Sequence, residues 1–445
     1  MRRVLLVAAA TTFLAIAAGA QYAAADNGSP AASDEGSFEV WAVDQSNTAG
    51  ATSGGTLYVY PGPELAGVAA ESATPERFDL GGATTNLCIA QTGAAPVRPH
   101  MILMSPTHTH ALLAFVASGH VVVFDAATRA PLKCFRMSPG VGGARQAHAA
   151  FPSPDGSFVI VANQNGKLLE RIRTDYATNT FEHETAATLD LANGTTPGGA
   201  SRQDAELRPD NAPICPLIDS KGQFTFVTLR GGGLFVVDST ATPMRIVAEY
   251  DRSTVHGNGC GGLETDGKMY VNSGGGTASN VDQFDVYSFP VDAFSPAPNA
   301  PNTPAPTVVV SEGDRDDTDS HGVALTKHGR YLWVADRDGD RIVVIDTATD
   351  TVTGEFSLEG RFGDDPSPDL LDSSPSGNRV FVSLRGPNPL SGDPHSSTGS
   401  TPGIGVIRVE RGGRSGELQS IVRISNVDPA GVERADPHGL RVRRK

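Results

Sequence analysis

Residues 331–356 read YLWVADRDGDRIVVIDTATDTVTGEF. Three runs rich in β-branched residues are separated by two polar tetrapeptides, RDGD and TATD. Short runs of this kind, bounded by Asp and Gly, are strands joined by hairpin turns. The pattern extends upstream. SHGVAL (320–325) is a further short run, and TKHG supplies a turn ending at Gly329. Four strands therefore follow one another with no helical stretch between them.

The same order recurs along the chain. It is present in HMILMSPTHTHALLAFVASGHVVVFDAAT (100–128), HAAFPSPDGSFVIVANQNGKLLERIRT (148–174) and CPLIDSKGQFTFVTLRGGGLFVVDST (215–240). It returns in CGGLETDGKMYVNSGGGTASNVDQFDVYSF (260–289), and in DLLDSSPSGNRVFVSLRG (369–386) continued by GIGVIRV (403–409). A last copy is split. The terminal ADPHGLRVRRK matches only the first strand, while FEVWAVDQSN, GGTLYVYPG and ERFDLG near the start supply the other three. Four-stranded antiparallel units repeated in this way define an all-β fold, a seven-bladed β-propeller. Pairing the C-terminal strand with the N-terminal strands closes the ring and removes two exposed sheet edges. The expected organisation is a signal peptide over 1–25 and a single propeller domain over 26–445. Polar or proline-rich insertions at 175–212, 293–319 and 386–402 read as loops.

The closest repeats, 331–356 together with SPDGSFVIVANQNGKLLERI and GHVVVFDAATRAPLKCF, resemble the YVTN family of propellers. The resemblance spans nearly the whole mature chain and implies the fold. It leaves the chemistry open, because propellers of this type include binding modules, lactonase-type hydrolases and metalloenzymes.

Within the repeat frame the histidines fall into phase. Eight residues before the glycine of the first turn (Gly156, Gly222, Gly267, Gly329, Gly377) stand His148, Ile214, Gly259, His321 and Asp369. His100 and His438 precede the same apolar segment in their copies. The first strand of a blade lines the central channel, so His321, Asp369, His438, His100 and His148 are expected to converge from five consecutive blades. Eleven histidines occur in the chain, and four share this one phase. Imidazoles with a carboxylate form a ligand set for a divalent transition metal, with zinc or copper expected. Channel histidines of this placement resemble those of nitrous oxide reductase-like and carotenoid oxygenase-like propellers. Two other readings compete: a polar substrate pocket, and structural histidines bonded to a neighbouring blade. His108, His110, His120 and His256 are weaker candidates.

The remaining features narrow the class. Two arginines, an apolar run and Ala23–Ala25 at the start form an export signal, with cleavage expected after Ala25 and release outside the cytoplasm. Its removal takes away two arginines and no acid, which moves the formal charge from −15 to −17. That surface repels nucleic acid and anionic membranes, and no later run is apolar enough to span a bilayer. Four cysteines in an exported chain point to disulfides. Proximity pairs Cys88 with Cys134 and Cys215 with Cys260, although the latter two lie one residue past the histidine phase and ligation is an alternative. DRDGDR (336–341) reads as a hairpin turn rather than a calcium loop. No GxSxG, HExxH, P-loop or dinucleotide fingerprint is present. The sequence therefore predicts an exported, monomeric propeller whose partner is a metal ion or small molecule, with loops open to a protein partner. Enzyme activity is undecided. The rivals are a metal-free lactonase-like hydrolase, with the channel histidines and Asp369 as acid and base, and a non-catalytic scaffold.

Overall fold

A computed structural model describes residues 37–66, 70–276, 281–296, 303–312, 318–326, 329–390 and 398–445. The expected export signal lies outside the described residues. Seven antiparallel sheets form the ring. Blade 1 has the order Pro437–Arg444, Phe38–Asp44, Thr56–Pro61, Glu76–Asp79, so the C-terminal strand is its innermost member. The other six blades each run from the inside outwards in chain order, starting at residues 99, 147, 213, 262, 320 and 368. One short strand, Leu189–Asp190, adds to the third strand of blade 3.

The turn glycines behave as the repeat requires. Gly156, Gly222, Gly267, Gly329 and Gly377 all have φ between 69° and 73°. A side chain is strained in that left-handed region, which is why glycine recurs there. The middle strands are mostly apolar and are buried because neighbouring blades cover both faces. RIVVID (Arg341–Asp346) is buried at every position, as is FVIVAN (Phe158–Asn163). Each fully buried Val or Ile contributes roughly 1.5–3 kcal/mol.

Ring closure is reinforced by charge. Glu39 on the second strand of blade 1 is buried and receives Arg443 at 3.0 Å, Lys445 at 2.8 Å and Arg129 of blade 2 at 2.5 Å. The C-terminal strand is thus held by its ladder with Phe38–Asp44 and by a shared carboxylate.

Three features differ from the sequence reading. The insertion at 175–212 contains Thr180–His183, the outer strand of blade 3. The insertion at 293–319 contains Thr307–Ser311, the outer strand of blade 5. Both strands are short, too short for alternation to be read, and the second also follows a proline-rich stretch. A ten-residue helix, Ala83–Thr92, also lies between blades 1 and 2. Its Cys88 is joined to Cys134 on the outer strand of blade 2. With only a few buried positions and no apolar stripe it has little sequence signature, and the disulfide fastens it. Cys215 is joined to Cys260, so both proximity pairings hold. No helix among the described residues is long and apolar enough to cross a membrane.

Candidate metal centre in the channel

A single structural device aims the channel residues. Every innermost strand carries one more residue than its partner strand at the same place. In blade 2 Pro99 pairs with Phe115 and Ile102 with Leu113, so His100 and Met101 oppose Ala114 alone. In blade 6 His321 and Gly322 oppose Ala335, and in blade 7 Asp369 and Leu370 oppose Ser383. In blade 1 His438 and Gly439 oppose Val43, and in blade 3 His148 is itself the extra residue. Ile214 and Cys215 bulge in blade 4. Blade 5 repeats the offset between Asn258 and Gly262. A β-bulge breaks the alternation of faces and re-aims a side chain. Here it places His438, His100, His148, Ile214, Cys260 and His321 on the wall of the channel cavity.

The bulges are tied blade to blade. Ser383 donates to the His438 carbonyl at 2.7 Å and accepts the Leu370 N–H at 3.0 Å. Thr228 donates to the carbonyl of Gly259 and accepts the Cys215 N–H, and Asn272 donates to the carbonyl of His321. Glycine is needed where these backbones meet. A Cβ on Gly322 would stand 2.0 Å from the Asp369 carbonyl oxygen, and one on Gly439 would stand 2.4 Å from that of His100.

The four histidines line one cavity of about 130 Å³, and Asp369 sits behind them, fully buried. His438 and Asp369 are joined through Nδ1 and Oδ2 at 2.5 Å. A carboxylate only accepts, so His438 donates from Nδ1 and carries its lone pair on Nε2. That Nε2 is buried with no hydrogen-bond partner. His100 is arranged in the same way, with Nδ1 3.0 Å from Gln45 Oε1. Its Nε2 faces Nε2 of His148 at 3.2 Å. The rings of His100 and His438 stack at 3.9 Å. His321 Nε2 and Asp369 Oδ1 approach to 3.0 Å but are not aligned for a hydrogen bond.

The five expected residues do not form one compact ligand shell. His321, Asp369 and His438 can each present a donor atom within 4.8 Å of the others. His100 and His148 form an adjoining pair. His148 also lies within 4.8 Å of the sulfurs of Cys215 and Cys260.

Electrostatics keep the histidines neutral. Burial, and then competition for a proton with the neighbouring His438 and His148, holds His100 well below its ordinary value. Burial pushes His148 down to about 3, and burial together with Arg337 pushes His321 to about 3. Burial also lowers His438, against the pull of Asp369. Burial alone would raise the Asp369 carboxyl. Its interactions with His438, His321 and Arg385 outweigh burial and hold the group well below the usual carboxylate range. Arg385 donates to Asp369 at 2.8 Å and in two bonds to Asp436 at 2.7 and 2.8 Å.

The sequence reading missed the supports. Gln45, Gln164, Arg337 and Arg385 all line the cavity, and each follows directly on the second strand of its blade. They form a second polar ring at one repeat phase, which the repeat frame used for the histidines would have revealed. The weaker candidates lie elsewhere. His108 sits in a turn with Nδ1 accepting the Arg444 N–H at 3.2 Å. His110 bonds Asn179 at 2.6 Å, and His120 bonds Thr92 and Ser118, each at 2.9 Å. His256 is paired with Asp285 at 2.9 Å. The carboxylates of the DRDGDR turn are used within the protein. Asp336 accepts from Arg341 at 2.9 Å, and Asp340 accepts the Ser367 N–H at 2.6 Å.

Fold and site together define the class: a seven-bladed propeller with a histidine-lined central channel. Among solved structures the chain is similar to a protein from Lactobacillus plantarum, at 12% identity over 91% of this chain and 99% of that one, with a TM-score of 0.58. It is also similar to a putative 6-phosphogluconolactonase from Bacteroides fragilis, at 12% identity over 93% and 99%, with a TM-score of 0.52. At this identity the likeness is one of fold. No protein-family model and no curated protein matches the chain.

Proposed function

We propose that this protein binds a transition metal ion, zinc or copper, in the propeller channel through His100, His148, His321 and His438, with Asp369 as a fifth ligand or as the carboxylate that orients His438. The observation that carries this reading is the Asp369–His438 pair. A carboxylate on Nδ1 leaves a partnerless, buried Nε2 lone pair, which is the arrangement of a metal-ligating histidine and its supporting carboxylate. The His100–His148 separation of 3.2 Å fits as well. Two nitrogens on a tetrahedral ion at about 2.0 Å stand about 3.3 Å apart.

Neutral imidazoles and an ionised carboxylate are the forms that bind metal. A bound ion supplies Lewis-acid or redox chemistry, and a cavity of about 130 Å³ admits only a molecule of a few atoms beside it. The metal-free hydrolase is less well supported, because Asp369 already accepts from His438 and Arg385 through Oδ2 and is held too acidic to take a proton at neutral pH. The two disulfides fit an oxidising compartment, and we place the protein outside the cytoplasm.

The test is metal analysis of untagged protein, followed by zinc and copper titration after chelator treatment. One tightly bound equivalent, lost in His438→Ala and His100→Ala, is the expected result. Less than about half an equivalent with no uptake on titration would sink the reading.

A further inference from the structure

Three sulfur atoms cluster beside the channel on the side of blades 2 to 5, with Cys260 on the cavity wall. Met101 follows His100 in the blade 2 bulge, Cys215 lies in the blade 4 bulge, and Cys260 lies in the offset of blade 5. His148 of blade 3 stands between them in ring order. All three sulfur residues are buried. Met101 Sδ is 3.9 Å from Cys215 Sγ and 3.8 Å from Cys260 Sγ. An imidazole nitrogen of His148 and both cysteine sulfurs lie within 4.8 Å of one another.

We propose that Met101, Cys215, Cys260 and His148 form a second, softer site that takes monovalent copper, closed while Cys215 and Cys260 are joined and opened when an external dithiol reduces them. It meets the histidine centre proposed above only at His148.

The distances support this. Sulfurs bound to one tetrahedral ion at about 2.3 Å stand about 3.8 Å apart. Met101 already holds that distance from both cysteine sulfurs, so only the Cys215–Cys260 separation has to open. A buried methionine beside a disulfide is by itself ordinary packing. Two further facts set this one apart. Four donors come from the bulges of four consecutive blades, and His148 Nδ1 is buried with no hydrogen-bond partner. Two thiolates and an imidazole suit zinc as well as copper, and it is the Met101 thioether that favours monovalent copper.

The step is a two-electron exchange. Cys260 lines the cavity, so its sulfur is the one a reductant reaches. One thiolate of the dithiol attacks Cys260 Sγ, and Cys215 leaves as thiolate. The second sulfur of the dithiol then displaces Cys260, and the reductant departs as its own disulfide. On metal binding, any proton carried by either cysteine passes to solvent; where His148 ligates both ions, its remaining ring proton passes to solvent too, leaving an imidazolate bridge.

The experiment is an anaerobic titration with monovalent copper delivered from a chromophoric chelator, on oxidised and on dithiol-reduced protein. Reduced wild type should take up one equivalent more than oxidised wild type. That equivalent should vanish in Cys215→Ser/Cys260→Ser and bind at least about tenfold more weakly in Met101→Leu, the loss of a thioether ligand. Thiols freed from Cys88 and Cys134 are present in all three reduced proteins, so the equivalent that belongs to Cys215 and Cys260 is the difference between reduced wild type and the reduced double serine variant. Equal uptake by those two reduced proteins overturns the proposal. If that variant fails to fold, X-ray absorption on reduced, copper-loaded wild type decides. Sulfur neighbours at about 2.3 Å are expected, and nitrogen neighbours alone overturn it. Zinc uptake by oxidised protein is scored separately and should be unchanged in Met101→Leu, so failure of the histidine centre is distinguishable from failure of the sulfur site.

Discussion

Replacing His321 by Gln should make the metal-free protein more resistant to acid. His321 is 8% exposed, and its pKa falls from the usual 6.5 to about 3, first through burial and then through the Arg337 charge. The unfolded chain takes up a proton near pH 6.5 that the folded chain refuses until about pH 3. The contribution of His321 to stability is therefore present above pH 6.5 and drains away as pH falls below it. One proton corresponds to about 1.4 kcal/mol per pH unit. At pH 5 the loss is about 2 kcal/mol relative to pH 7.5. Gln has no such proton, so the wild-type advantage over His321→Gln should shrink by that amount between the two pH values. The measurement is urea unfolding of chelator-treated protein, followed through the buried Trp41 and Trp333, at pH 7.5, 6 and 5. A constant difference would mean that His321 titrates alike in both states. A difference that widens on acidification would mean that His321 is protonated in the fold and paired with Asp369, which reverses the reasoning about neutral ligands.

Because the histidines are already neutral, zinc affinity should change little between pH 7 and 5; competition titration showing a fall of about tenfold per pH unit would contradict this. Asp369→Asn should weaken zinc binding by about 10–100-fold, whether the carboxylate ligates or orients His438; unchanged affinity would remove it from the site. Gly439→Ala forces a Cβ to 2.4 Å from the His100 carbonyl oxygen, and urea unfolding should register a loss of about 1–3 kcal/mol. Cys88→Ser/Cys134→Ser opens a loop with a sequence separation of 46 and should cost about 4 kcal/mol in the same assay while leaving metal stoichiometry unchanged.

The propeller was legible because its determinants are local and repeated. A turn glycine needs positive φ and recurs in five of the seven blades, and runs rich in β-branched or apolar residues recur in the middle strands, which are covered on both faces. The split blade was legible for the same reason, since HGLRV at the end matches SHGVAL only if it is a first strand. What escaped was structure without a repeating cause. The helix at Ala83–Thr92 is specified by one disulfide and a few buried positions. The outer strands of blades 3 and 5 lie at the rim, where a few residues of pairing suffice and the alternation is too short to see.

The channel site illustrates a different limit. Phase in the repeat identified which residues start the inner strands, and all of His100, His148, His321, Asp369 and His438 do. Phase alone does not say where a side chain points, because a regular strand would send alternate residues into the blade and the channel. The deciding element is the bulge, and its only trace in the sequence is the glycine that follows His321 and His438. Those glycines let one inner strand touch the next, which draws the bulged residues close enough to share partners. The same contraction explains why Asp369 stands behind the histidines rather than among them. Its strand is pressed against Gly322, so its carboxylate meets His438 and Arg385 from the side of the wall. A residue in phase with four candidate ligands is thereby better placed to set their tautomers than to complete their shell. X-ray absorption on zinc-loaded wild type and Asp369→Asn, which counts the groups bound to the metal, separates those two roles. An orienting carboxylate leaves the number of metal-bound groups unchanged on substitution, whereas a ligating one removes one.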